Sequence, residues 1–319
     1  MCLYIQIGLR QIANENQTMA LLTLQETLGE SAISFTRGIG TWPAADLLSE
    51  ANAPEVLDFL ATRPIHNVFM TGLIRDNGIV SPFNRGSFYG YRNSLGMLEG
   101  IALIGHAVLF DARTEAALDT FAKLARNDST TRLIVGEEIK VDNFWRRFEE
   151  VGRTSRLTCR ELLMEQCRIA GTRKEMRELR PATFNDISQV VAAHTAMAKE
   201  EIAVNPMDVD PIGFRLRVAR RISKGRVWVL IEDGRLIFKA DIVSDTPEVI
   251  YLEGVYVRKD ARGKGYGSGC LASMGHALLD RTESISLIVH ADNERAQAMY
   301  RKAGFQLRSY YKSIFLKSP

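Results

Sequence analysis

Arg262-Gly263-Lys264-Gly265-Tyr266-Gly267-Ser268-Gly269 is the stretch on which the reading of this chain turns. It follows an apolar, β-branched run at 249–257 and precedes Cys270, Leu271, Met274 and Leu278, whose spacing makes one buried helical stripe. A glycine-rich turn between a strand and a helix lets the backbone come close to a ligand. The unpaired N–H groups and the positive dipole end of the helix then attract an anion. A diphosphate is the natural occupant; a glycine turn without a ligand is the alternative that glycine content alone leaves open.

The surroundings narrow the choice. No Gly-Lys-Ser/Thr closes a GxxxxGK[ST] pattern, so a Walker loop is excluded. A dinucleotide fold would carry its glycine loop after the first strand of the domain. Here a hairpin comes first, strands 226–232 and 235–243 joined at Asp233-Gly234. Before the hairpin, the pattern predicts a strand at 176–180, a capping box from Thr183 to Asp186, a helix carrying Ile187, Val190, Val191 and His194, and a second helix ending near Ser223. After the loop come a helix over 266–280, a strand at 284–290, a helix at 294–303 ended by Gly304, and a strand at 310–316.

The first half has a similar plan. Pro54 opens a helix with Val56, Leu57 and Leu60 on one face. Strands at 87–91 and 100–110 precede a helix at 114–126 with Ala117, Leu118, Phe121 and Leu124 in a stripe, then a strand at 131–135, a helix at 141–151 and a strand at 156–164. Both halves close in the order strand, helix, strand, helix ended by glycine, strand, which reads as an internal duplication, with 145–147 falling near 299–301. The first copy has only residues 110–114 where the second has its glycine loop. The division expected is a tail of no assigned role at 1–20, a first domain at 21–168, a linker at 169–175 within the charged stretch 165–177, and a second domain at 176–319.

Composition limits the function classes. The chain has 319 residues, 46% hydrophobic and 25% charged, which suits two ordinary globular domains and excludes disorder or a disulfide scaffold. A net charge of +3 without blocks of like charge gives no field for nucleic acid. Cys2, Cys159, Cys167 and Cys270 are scattered, which leaves no zinc site and fits a reducing cytoplasm. The apolar stretch 2–9 has neither a basic start nor a cleavage site, and no apolar run approaches the ~18 residues of a membrane span.

With these features in place, the second half resembles the Gcn5-related N-acetyltransferase (GNAT) family. Arg262-x-x-Gly265-x-Gly267 is similar to the family's R/Q-x-x-G-x-G/A signature, 252–257 to its central strand, and Asn293-x-x-Ala296-x-x-x-Tyr300-x-x-x-Gly304-Phe305 to its N-x-x-A-x-x-x-Y-x-x-x-G-F segment. The resemblance implies an α/β protein of two GNAT-like domains, each a mixed, mostly antiparallel sheet flanked by helices. The first copy lacks the loop signature.

The resemblance also implies roles. Arg262, Gly263, Lys264, Gly265, Gly267 and Ser268 would hold the pyrophosphate of acetyl-CoA. Val255 and Val257 would offer backbone groups to its pantetheine arm, and Asn293 would be a helix cap, a coenzyme contact or both. Tyr300 would protonate the departing thiolate. An amine acceptor must lose a proton, and Glu253 is the base proposed, sharing strand parity with Val255 and Val257 unless a bulge at Gly254 changes the phase. His290 is a weaker candidate.

The expected acceptor is a small-molecule or peptide amine, with no nucleic acid or membrane partner and with a homodimer allowed. Glu200, Glu201, Asp208 and Asp210 would border the acceptor side and draw in a cationic amine. A coenzyme-A-binding module that has lost the reaction is the rival reading.

Overall fold

The structure, a computed structural model, describes residues 45–149, 153–168, 176–202 and 205–317; the tail assigned to 1–20 and the linker assigned to 169–175 lie outside them. In the first half, β1 (Asp46–Leu47), α1 (Ala53–Ala61) and α2 (Pro64–Asn77) precede β2 (Gly86–Arg92), β3 (Leu98–Gly105) and β4 (Ala107–Ala112). Next come α3 (Glu115–Asn127), β5 (Leu133–Glu137), α4 (Glu138–Phe148) and β6 (Ser155–Gln166). The second half runs β7 (Arg180–Pro181), α5 (Ile187–Ile202), α6 (Pro206–Val209), α7 (Pro211–Ser223), β8 (Val227–Glu232), β9 (Arg235–Asp245) and β10 (Val249–Val257). It ends with α8 (Tyr266–Leu278), β11 (Ser284–His290), α9 (Glu294–Ala303) and β12 (Gln306–Leu316).

Local chemistry sets most of these boundaries. Asp233 and Gly234 both take positive φ, the conformation a two-residue turn between β8 and β9 needs. Thr183 and Asp186 form the capping box, and the Arg180 guanidinium beside Asp186 holds that carboxyl down at about 2. Asn293 caps α9 by accepting from Ala296 N–H at 3.1 Å. At the other end of α9, Gly304 lies in the left-handed region with φ of 102°.

The strands of the described residues form one twelve-stranded sheet in the order β1-β2-β3-β4-β5-β12-β6-β11-β10-β9-β8-β7. The middle of this order shows how the halves join. β12, the last strand of the second half, pairs with β5 of the first, while β6, the last strand of the first half, pairs with β11 of the second. β6 and β12 are also antiparallel neighbours. Each half therefore completes its sheet with the other's final strand. One core crosses the junction, built from Ile65 and Val68 of α2, Leu133 and Val135 of β5, Tyr251 of β10, and Tyr311 and Phe315 of β12. Phe69 packs on Tyr251 with ring centroids 4.3 Å apart, and Arg226 pairs with Asp76 across the same boundary. Fully buried side chains of this size contribute about 1.5–3 kcal/mol each, so the two halves share stabilisation.

Two expectations need correction, and one helix was not expected. The single strand at 100–110 is two strands folded back on each other at His106, with Leu103 opposite Leu109. The strand at 176–180 is reduced to Arg180–Pro181. The sequence reading had no helix at Pro64–Asn77, where α2 lies. No helix among the described residues is long and apolar enough to cross a membrane.

Candidate active site

β10 and β11 are parallel neighbours only from Val249–Leu252 against Ser284–Leu287. Beyond Leu252 they separate, and β11 continues to pair with β6 on its other side as far as His290. On the β9 side, the ladder shifts register between Glu253 and Tyr256. Gly254 sits in this irregularity with φ of 59°, and an added Cβ would meet Lys239 Nζ at 2.8 Å and Asp241 Oδ2 at 2.9 Å. The strand is thus bulged where it leaves its neighbour, and the backbone at Gly254 and Val255 lies outside the regular ladder on both sides.

The bulge changes which side chains share a face. Ile250 and Leu252 lie in the core with Cys270, Leu271 and Met274 of α8, and Val255 and Val257 pack against that same core. Val249 and Tyr251 belong to the opposite core. Glu253 follows Tyr251, with Asp241 as its cross-strand neighbour. The expected shared parity of Glu253 with Val255 and Val257 is therefore overturned: they lie on opposite faces, because Gly254 inserts one residue into the alternation.

A cavity of about 110 Å³ opens at this separation, lined by Glu253, Gly254, Val255, Asn293, Met299, Tyr300, Met197 and Glu161, among others. Tyr300 is 8% exposed and sits edge-on to Phe305 in the α8-side core. Glu253 is 6% exposed. Glu161, which the sequence reading did not single out, is 3% exposed and comes from β6 of the first half. Burial pushes its carboxyl above the ordinary range, partly offset by the Ser313 hydroxyl, which donates to Oε2 at 2.5 Å.

The glycine loop stands at the outer end of β10. Gly265 is the N-cap of α8 with φ of 89°, and an added Cβ there would meet nothing within 4 Å, so the conformation and not space demands glycine. Gly269 N–H donates to Gly265 C=O at 2.9 Å. The amides of Tyr266, Gly267 and Ser268 before it have no carbonyl one turn behind them. Gly263, Lys264 and Arg262 are exposed around this helix start, while Gly267 and Ser268 are buried in its first turn. Arg262 donates to Val257 C=O at 3.0 Å and pairs with Glu200 at 3.0 Å, and Lys259 pairs with the same carboxylate at 2.8 Å.

The remaining candidates lie at the edge of the cavity or away from it. Val257 is half-buried beyond Val255, and Asn293 is exposed, its Oδ1 used as the cap. His290 accepts at Nδ1 from Asp292 N–H at 3.2 Å, a local turn contact outside the cavity lining. Of the acidic stretch, Glu200 is held by Arg262 and Lys259, Asp208 accepts from Asn205 at 2.6 Å, and Asp210 caps α7 and pairs with Arg217. The Glu201 side chain lies outside the described residues.

The first half has a comparable gap filled by ions. β4 and β5 pair only at Ala107–Val108 with Leu133–Ile134. Beyond that point Asp111, 1% exposed, accepts from Arg63 and Lys140 at 2.7 Å each and from Asn67 at 3.1 Å, while Arg63 also reaches Glu137 at 2.6 Å. Burial alone would raise the Asp111 carboxyl; the facing cations and the Asn67 amide outweigh it and hold it below the ordinary range. α3 then starts directly with Thr114 as N-cap.

Residues 194–305 match the model of the acetyltransferase (GNAT) family. Over these residues the chain carries the pattern of a GNAT-family domain. The glycine loop, the separated strands and Tyr300 all fall inside the matched segment. A search of the curated proteins gave no match. In fold, the chain is similar to a Drosophila protein solved by X-ray crystallography, with TM-score 0.62 and 14% identity over 87% of this chain and 99% of that one. It is also similar to a GNAT-family acetyltransferase from Colwellia psychrerythraea, with TM-score 0.51 and 13% identity over 82% and 97%. A tandem GNAT protein from the clavulanic acid biosynthesis pathway gives TM-score 0.50 and 12% identity over 85% and 97%. These matches span both halves, beyond the GNAT segment itself.

Proposed function

We propose that the protein transfers an acetyl group from acetyl-CoA to a primary amine, by direct attack within the cavity between β10 and β11. The observation that carries this reading is the joining of two features on one strand: an anion-ready helix start at Gly265–Ser268 and a gap in the sheet that holds Tyr300 and Glu253. The fit to acetyl-CoA rests on this chain's own atoms. Unpaired amides and exposed Arg262 and Lys264 suit the diphosphate, and the interrupted ladder at Gly254 and Val255 offers backbone groups to an extended arm.

Acetyl-CoA supplies an activated thioester carbonyl. The chain's residues do the rest. The Val255 N–H is the donor proposed for the carbonyl oxygen as charge develops there. Glu253 takes the proton that an ammonium must shed before its nitrogen attacks, and Tyr300 Oη gives a proton to the sulfur as the carbon–sulfur bond breaks. The amide nitrogen's second proton restores the tyrosine, so one proton is released per turnover through Glu253. Replacing Tyr300 with Phe tests the assignment: kcat should fall about 10²-fold or more while acetyl-CoA affinity stays within twofold. An unchanged kcat would remove Tyr300 from the reaction.

In the first half, the ion network of Arg63, Asp111, Glu137 and Lys140 occupies the corresponding gap, which supports one coenzyme site per chain. The buried thiols of Cys159 and Cys270 fit a reducing, cytoplasmic setting.

A further inference from the structure

Glu161 belongs to the first half by sequence and to the second half's cavity by position. β6 reaches the cavity because the halves exchange their final strands, which sets Glu161 opposite His290 at the end of β11. Cys159 and Leu163, two positions either side of it, lie in the core that holds Tyr251. Glu161 therefore faces the same side of the sheet as Glu253, whereas Tyr300 and Val255 belong to the core on the other side. The gap between β10 and β11 joins the two sides.

This arrangement separates two tasks. The thioester would enter along the face of α8 and α9, where the glycine loop and Tyr300 stand. The opposite face is left for the second reactant, and there the cavity wall carries two carboxyl groups and Met197. Among the described residues, no lysine or arginine lines the cavity. The hydrogen-bond partner of Glu161 there is the neutral hydroxyl of Ser313.

We infer that Glu161 is an acceptor-recognition residue, and that the amine is bound as a cation between Glu161 of the first half and Glu253 of the second. This rests on the acetyl-transfer reading above and adds to it: the first half builds part of the acceptor site. Holding a cation there also relieves the burial that pushes the Glu161 carboxyl up, since an ammonium favours its charged form. The bound ammonium gives one proton to Glu253, and the neutral amine that results keeps an N–H donated to Glu161, which orients its lone pair until the nitrogen attacks.

The test uses the full chain and steady-state acetyl transfer to 1,4-diaminobutane, 2-aminoethanol and β-alanine, with calorimetric binding of acetyl-CoA alongside. Glu161→Gln should raise KM for the preferred amine about tenfold or more. Its KM and Kd for acetyl-CoA should stay within twofold of wild type, and kcat should change less than the acceptor KM. Glu161→Asp, which keeps the charge, should recover part of the lost acceptor affinity, and Glu161→Ala, which also removes the charge, serves if the glutamine variant does not fold. An acceptor KM within twofold of wild type in folded Glu161→Gln or Glu161→Ala would overturn the inference, as would a Glu161→Asp KM no lower than that of the uncharged variant, or a preference for the carboxylate-bearing β-alanine. Wild type that acetylates none of the amines but binds acetyl-CoA would refute the transfer reading itself, and it would do so before any variant is made.

Discussion

Gly254→Ala probes the strand geometry on which the site depends. At φ of 59° an alanine pays about 1–2 kcal/mol for the left-handed conformation. Its Cβ would stand 2.8 Å from Lys239 Nζ and 2.9 Å from Asp241 Oδ2. Neither atom can yield easily: Lys239 is wholly buried, and it bonds Asp241 at 2.8 Å and His194 Nε2 at 3.1 Å. Overpacking of this kind costs about 1–3 kcal/mol. The sum, about 2–5 kcal/mol, should appear as a lower urea midpoint with an unchanged m value. If the chain relieves the clash by flattening the bulge, Val255 moves to the face of Glu253 and the proposed carbonyl donor is lost. The kcat should then fall about 10²-fold, with acetyl-CoA affinity, held mainly by the glycine loop and only in part by the Gly254–Val255 backbone, falling by less. A variant within about 0.5 kcal/mol of wild type and with unaltered kcat would refute this account of the bulge.

Gly265→Asp should weaken acetyl-CoA binding about a hundredfold or more, about 2.7 kcal/mol, because it puts a carboxylate and a strained φ where the diphosphate meets backbone amides; equal calorimetric affinity would remove the loop from the site. Titration of the full chain should give one acetyl-CoA per chain, and a second site surviving Gly265→Asp would show that the ion-filled gap of the first half opens. Burial, with Lys239 and Arg221 outweighing Asp241, lowers His194 to about 3 from its ordinary 6.5. The unfolded chain then binds the extra proton between these values, so this stability is complete above pH 6.5 and is lost toward pH 3, at about 1.4 kcal/mol per pH unit. His194→Gln should reduce that slope by about one proton in denaturation series across this range, and an identical slope would contradict the burial of a neutral imidazole.

Much of the second half could be read directly. Val249–Val257, Ser284–His290 and Glu294–Ala303 have the bounds expected from apolar alternation, the asparagine cap and the closing glycine. What escaped depended on contacts distant in sequence. α2 buries Ile65, Val68, Met70 and Ile74 together with Asn67 and Thr71, because it is covered on several sides, and so it shows no clean apolar stripe. The reversal at His106 lacks the Asn-Gly or Asp-Gly signal that marked the turn at Asp233. The bulge could be named as a condition from Gly254 but not decided, since it depends on the register against β9. Glu161 carries no local mark at all: it reaches the cavity only through the strand exchange, which no pattern within 155–166 reveals.

The most direct test of the central claim is coenzyme A thiol release measured on the full wild-type chain with acetyl-CoA, with and without each of a set of primary amines. The account predicts saturable acetyl-CoA binding, release that depends on an amine, and an N-acetylated product formed in equal amount to the thiol. Tight binding of acetyl-CoA with no amine-dependent release across the set would contradict it, and would assign the fold to coenzyme binding without transfer.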